Sequence, residues 1–153
     1  MNNKLIDYNT AVLARNKGLE VSSEYFYVNT QLHSLSSDGE CLDYLDKDYN
    51  YIYSLYDCDG HFWFDNEDND YTPIKYYVLS QSLLQKWLRE KHSIHIEIIG
   101  FVSGDEESNC YYYHLRDMTK YDSLLVIPDN DDIYDTYEKA LESGLYESLK
   151  LIK

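Results

Sequence analysis

The chain has 153 residues, the size of one compact domain, so we expect a single domain spanning residues 1–153. Hydrophobic residues make up 44% of it, which is enough to build a core and argues against a disordered chain. The formal net charge of −15 disfavours direct binding to nucleic acids or to anionic membrane surfaces, because both carry the same sign of charge.

The N-terminal half begins with a predicted amphipathic helix over residues 5–17, which ends at Gly18 in the position of a left-handed cap. Aromatic and β-branched runs predict three strands, at residues 24–29, 50–56 and 61–64. The last two are separated by Asp-Cys-Asp-Gly, a connection that favours a hairpin. Turn residues at 34–40 and an acidic run at 65–70 predict loops.

Two further helices are predicted in the C-terminal half. Residues 80–92 carry an apolar stripe, and Ser80 is the predicted N-cap. Residues 133–149 carry a second apolar stripe, and several aspartates lie near the N-terminus of this helix, where the helix dipole favours negative charge. The first stripe consists of Leu83, Leu84, Trp87 and Leu88, and the second of Tyr137, Ala140, Leu141, Leu145 and Leu149.

Between these helices lie the most regular strand signals. Residues 94–102 alternate Ile94, Ile96 and Ile98 with His95, Glu97 and Ile99, the pattern of a strand with one buried face. An acidic turn then allows residues 110–116 to pair back, and residues 123–127 predict one more short strand. Adjacent strands are joined by turns too short for parallel crossovers, so the predicted fold is α+β, with a mainly antiparallel sheet and three amphipathic helices in two layers.

The three cysteines are widely spaced and form no Cys-x-x-Cys pair, which argues against a disulfide framework or a zinc knuckle. No apolar stretch approaches the ~20 residues needed to cross a bilayer. We therefore expect a cytoplasmic protein with reduced thiols and no membrane contact.

Three sequence blocks carry a family resemblance: AVLARNKGLE (residues 11–20), LSQSLLQKWLREKHSIHIEI (residues 79–98) and TYEKALESGLYESLKLI (residues 136–152). Together they resemble a group of small uncharacterised proteins encoded by phages and mobile elements of Bacteroides-type bacteria. The resemblance covers about half of the chain and leaves out residues 30–72. It implies ancestry but no reaction, ligand or catalytic residue.

Metal and catalytic patterns are weak. Asp46, Asp48 and Asn50 alternate as in a calcium loop, but Tyr51 stands where the sharp turn needs glycine. His92 and His95 straddle a predicted helix end and strand start, so their side chains need not converge. Pairs of cysteine and histidine at 58/61 and 110/114 lack the geometry or the surroundings of a catalytic dyad. We expect no cofactor and no enzymatic activity.

Charge and aromatic residues give the binding hypotheses. Residues 80–100 hold three basic and two acidic side chains, against ten and 26 in the rest of the chain. Tryptophan, tyrosine and arginine are enriched at protein interfaces, so these side chains could form a protein-contact surface. The simpler explanation of the basic side chains is that they form the solvated face of the helix. The candidate binding residues are Lys86, Trp87, Arg89, Trp63, Tyr112, Asp65, Asp68 and Asp70.

The leading functional hypothesis is an acidic accessory protein of a phage or mobile element that binds a host or element-encoded protein. One version of it is that spaced carboxylates mimic the phosphates of nucleic acid and inhibit a host factor. The alternative is a small-ligand or nucleotide-like binding protein with an aromatic pocket built from Tyr25, Phe26, Tyr27, Trp63 and Tyr112. The oligomeric state is left open between monomer and homodimer.

Overall fold

The computed structural model describes residues 4–21, 23, 25–28, 31–35, 42–45, 51–54, 76–102, 109–120, 123–126 and 133–153. In chain order the elements of these residues are α1 (Tyr8–Asn16), β1 (Tyr25–Val28), β2 (Gln31–Leu35), β3 (Leu42–Leu45), β4 (Tyr51–Ser54), β5 (Tyr76–Tyr77), α2 (Gln81–His92), β6 (Ile94–Val102), β7 (Asn109–Asp117), β8 (Ser123–Val126) and α3 (Tyr137–Leu151).

The predicted α+β class is confirmed, since the described elements are three helices and strands that pair antiparallel. The strands form two sheets, one of five strands and one of three. The chain divides into two compact units: a helical unit of residues 1–19 and 79–153, and a strand unit of residues 20–78. The single domain stays a prediction, and the two units are described separately below.

The strand unit contains the five-stranded sheet, in the order β4-β3-β2-β1-β5. Its described core includes Phe26, which is 1% exposed and makes an edge-on ring contact with Tyr77 at 6.1 Å between centroids. The turn predicted at residues 34–40 is wrong at its start, because Ser34 and Leu35 pair with β3 in the ladder. The strands β2, β3 and β5 were not predicted, and the expected hairpin partner at residues 61–64 lies outside the described residues.

In the helical unit, α2 and α3 pack against one face of the sheet β6-β7-β8, and α1 packs against α3. This inner face contains Ile94, Ile96, Tyr113 and Leu115, all at most 6% exposed. Helix α3 packs so closely that a Cβ atom on Gly144 would lie 2.9 Å from Cγ2 of Ile96. The period-2 pattern of residues 94–102 therefore gave the correct buried face, and this unit has the predicted two layers.

The helix ends follow local chemistry. Ser80 caps α2 as predicted, since its Oγ accepts the hydrogen bond of the Leu83 N–H at 3.3 Å. Gly18 has a φ of +86° after α1, the left-handed conformation expected of a glycine cap. Helix α1 starts later than predicted because Ile6 is extended and its N–H donates to the Leu79 carbonyl. Helix α3 starts at Tyr137 because Tyr134 forms a β-bridge with Tyr111.

Three residues of the predicted helical stripes lie outside the buried core. In α2, Leu84 and Leu88 are fully buried, but Leu83 is 49% exposed. In α3, four of the five predicted residues are buried, but Tyr137 is 45% exposed because it lies in the first turn, at the rim of the packed face. The stripe residue Trp87 is only half-buried.

A carboxylate joins the three helices. Glu142 of α3 accepts hydrogen bonds from the Asp7 N–H at 2.9 Å and from Nε2 of Gln81 at 2.7 Å, and the Thr10 side chain bonds to it as well. Thr10 and Gln81 are at most 3% exposed. Because Asp7 precedes α1 and Gln81 opens α2, the carboxylate lies at two helix N-termini, where the helix dipoles favour negative charge.

Candidate functional site

The opposite side of the three-stranded sheet defines the outer face. From the register of β6 and β7, its side chains are His95, Glu97, Ile99 and Phe101 on β6, and Cys110, Tyr112, His114 and Arg116 on β7. They are half-buried or exposed, whereas Ile94, Ile96, Tyr113 and Leu115 of the inner face are buried. Within the described part of the helical unit, the helices pack on the inner face and leave this one without a helical layer.

Aromatic rings occupy one end of the outer face. The Tyr112 ring lies 5.9 Å from that of Phe101 and 5.2 Å from that of His114, measured between centroids. Ile99 is directly opposite Tyr112 in the register. Phe101 is 39% exposed. This end therefore offers an apolar surface that water reaches.

Charged groups occupy the other end. Nε of Arg116 donates to Oε2 of Glu97 at 2.9 Å, and the two side chains are 35% and 43% exposed. This hydrogen bond, more than any other interaction, lowers the pKa of Glu97 from its ordinary value. His95 and His114 flank the pair, and their buried Nδ1 atoms have no hydrogen-bond partner among the described residues.

Replacing Arg116 with glutamine removes the charged donor, so we expect the pKa of Glu97 to rise toward the ordinary glutamate value of 4.5. NMR titration of the Glu97 side-chain carboxyl carbon measures this shift. Lys120→Gln is the control, because Lys120 pairs with Asp117 instead. A Glu97 pKa that is unchanged by Arg116→Gln but raised by Lys120→Gln would contradict the assigned pair.

The candidate binding residues of α2 are Lys86, Trp87 and Arg89, and Lys86 and Trp87 make separate contacts in the structure. Lys86 forms an exposed pair with Glu90 at 3.9 Å, and Arg89 is exposed. Trp87 packs against His92 instead, with ring centroids 4.4 Å apart, and burial lowers the pKa of His92. These side chains fit the simpler explanation of a solvated helix face.

The remaining candidates divide between the two units. Tyr112 lies on the outer face, whereas α2 with Trp87 packs on the inner side of the same sheet. Tyr25, Phe26 and Tyr27 are in β1 of the strand unit, and Phe26 is a buried core residue. Outside the described residues lie Trp63, Asp65, Asp68 and Asp70.

Groups for metal or nucleophilic chemistry are scattered. No set of three or more histidine, cysteine or acidic residues within the described ranges is arranged to hold a metal ion. Cys110 and His114 share the outer face, as predicted, with Tyr112 between them on the strand. Cys58 falls in a stretch that the structure does not describe.

Sequence reasoning found Tyr112 but missed Phe101 and Arg116. The sequence does contain a signal for Phe101, because residues 98–102 are apolar on both faces of the strand and do not continue the earlier alternation. Such a run predicts either a strand buried on both sides or one with an exposed apolar face. Only the positions of the helices decide between the two.

Comparisons with known proteins give no neighbour to draw on. No family model matches the chain, and neither curated proteins nor solved structures give a significant match. Among the described helices, none is both long and apolar enough to cross a membrane.

Proposed function

We propose that this chain is a non-enzymatic, cytoplasmic binding protein of a phage or mobile element, and that the outer face of its three-stranded sheet contacts a host or element-encoded protein. The observation that carries the proposal is the Phe101–Tyr112 surface, which is exposed beside the Glu97–Arg116 pair on a face without a described helical layer.

Interface chemistry supports this assignment. Aromatic residues and arginine are enriched among the anchors of protein interfaces, and charged groups at the rim set orientation and speed of association. The outer face combines these two kinds of group within two strands. The net charge of −15 favours a partner with a basic surface.

The mimicry version remains a prediction. It depends on carboxylates in acidic segments at residues 43–48, 65–70, 105–107 and 129–135, of which the structure describes only residues 43–45 and 133–135. The described outer face supports protein binding but gives no evidence of regularly spaced carboxylates.

Affinity capture tests the proposal with the full chain as bait in a lysate of a Bacteroides-type bacterium. We expect Phe101→Ser and Tyr112→Ser to reduce the amount of captured partner by about tenfold or more, because interface anchors commonly contribute that much. Quantitative mass spectrometry measures the captured proteins, and circular dichroism checks that both variants fold.

Met118→Ser is the matched control, since Met118 is 58% exposed and lies in the turn after β7. The control should capture as much partner as the original chain does. Equal capture by all three variants would place the interface elsewhere, and the absence of any enriched protein at low and high salt would contradict a binding function.

A further inference from the structure

A separate feature of the three-stranded sheet is the edge of β6 that faces away from β7. The Ser93 carbonyl accepts from the Met118 N–H across the hairpin at 2.7 Å, so the backbone groups of odd-numbered residues point toward β7. Those of even-numbered residues point away from it. In agreement, the Ile96 carbonyl is reached from outside by Nε2 of Gln85 in α2, at 3.1 Å.

Beyond Ile96, this edge is open among the residues that the structure describes. No described residue forms a hydrogen bond with the outward backbone groups of Ile98, Gly100 and Val102. Val102 is 64% exposed, and Gly100 is exposed as well. Buried or paired edges need no protection, but an open edge normally carries lysine, proline or a bulge that blocks pairing with another chain.

None of these protective features is present in β6. Residues 98–102 read IIGFV, without a charge or a proline. The register between β6 and β7 continues from Ile94 to Val102 without a shift, so no bulge twists the edge away. The open segment is therefore suited to accept another extended strand.

The net charge of the chain favours one kind of binding partner at this edge. Two copies with a net charge of −15 each repel one another as they approach, which disfavours pairing of β6 with β6 of a second copy. An extended segment that carries lysine or arginine is attracted instead. Its apolar side chains would lie beside Phe101 and Ile99 on one face of the extended sheet.

We propose that the β6 edge at residues 98–102 binds an extended basic segment of a partner protein as an added strand of the sheet. This inference rests on the proposed function of protein binding and specifies its mode. Three outward-facing residues offer about six main-chain hydrogen bonds, which match a segment of about five residues. Main-chain bonds supply affinity, and alternating basic and apolar side chains supply selectivity.

The probe is a fluorescent nine-residue peptide that alternates lysine and valine, and its binding to the full chain is followed by fluorescence anisotropy. Two matched peptides separate the contributions: one alternates glutamate and valine, and the other is the lysine peptide with N-methylated backbone amides on one edge. We expect the glutamate peptide and the N-methylated peptide to bind at least tenfold more weakly than the lysine peptide.

A protein variant tests the same contact from the other side. Val102→Pro removes an outward N–H without changing charge and is expected to weaken binding of the lysine peptide at least tenfold. Val102→Thr keeps the N–H and should stay within threefold of the original chain. The N-methylated peptide keeps the proposal falsifiable if Val102→Pro does not fold.

Three results would overturn the proposal. Equal binding of the N-methylated and unmodified peptides would show a purely electrostatic contact, and no binding of any peptide would show a closed edge. Light scattering that finds a dimer broken by Val102→Pro would make a second copy the occupant. Partner capture that still depends on Phe101 and Tyr112 would leave the proposed function standing in each case.

Discussion

Replacing Gly144 with leucine is expected to lower the free energy of unfolding by about 3 kcal/mol, because α3 lies against the sheet with no space for a side chain. A Cβ atom at this position would approach Cγ2 of Ile96 to 2.9 Å and Cγ of Tyr113 to 3.2 Å. Both neighbours are buried, so neither can move into solvent. Urea unfolding followed by circular dichroism measures the change.

A double-mutant cycle tests whether the Cγ2 methyl group of Ile96 is the atom that a side chain at position 144 contacts. Gly144→Ala improves helix propensity by about 1 kcal/mol, yet it is expected to destabilise the chain because of the contact with Ile96. In an Ile96→Ala background the methyl is gone and only the contacts with Tyr113 remain, so Gly144→Ala should be markedly less destabilising. Ile96→Val keeps a methyl there and should give no such rescue. Additive effects in both backgrounds would contradict the close approach.

Replacing Glu142 with alanine is expected to cost about 3 kcal/mol of stability, because three donors lose their acceptor and two of them belong to the buried residues Thr10 and Gln81. They are the Asp7 N–H, the Gln81 amide and the Thr10 hydroxyl, which belong to the N-terminal region of α1 and to the start of α2. Lys139→Ala, which removes only the exposed pair with Asp135, is the control in the same helix. Chemical unfolding that gives the same small loss for both variants would contradict the assigned junction.

The same residue predicts a dependence on pH. Burial raises the pKa of Glu142 above its ordinary value of 4.5, and the negative charge of Asp7 adds to this effect against the opposing hydrogen bonds. The folded state therefore holds this proton more tightly than the unfolded state does. The stabilisation is complete below about pH 4.5 and is lost as the pH rises through the higher pKa of the folded state.

Glu142→Gln isolates this contribution, because glutamine cannot ionise. We expect the stability of the original chain, relative to this variant, to fall as the pH is raised from about 4 to 7. Subtracting the stability of the variant from that of the original chain removes the pH-dependent contributions of Glu97, Asp117 and Asp135. These have the opposite sign, because the pKa values of the three carboxyl groups are lowered in the folded state. A difference that grows with pH would contradict the raised pKa of Glu142.

The elements that sequence reasoning predicted well are those with strong local signals. Ser80 and Gly18 set helix ends through their own chemistry, and the alternation from Ile94 to Ile98 indicated which side of β6 is buried. Strands β2, β3 and β5 were missed because they are short, with five, four and two residues, and give little periodic signal. Their pairing depends on partners that are distant in sequence.

The candidate site was harder to predict for a related reason. The exposure of Phe101 and the burial of Gln81 depend on which surfaces the helices cover, and periodicity does not determine that. Gln81 stands at the start of α2 and is buried because it meets Glu142 of α3. The binding role of the basic side chains of α2 stays a prediction, because charge alone does not distinguish a binding surface from a solvated helix face.

The most direct test of the binding proposal places a photo-activated cross-linking amino acid at Tyr112, on the outer face, and at Met118 as a control position. Irradiation in the lysate followed by mass spectrometry identifies any attached protein. The proposal predicts a covalent product with the captured partner from position 112 and little or none from position 118. A product from position 118 alone would contradict the assignment of the outer face as the binding surface.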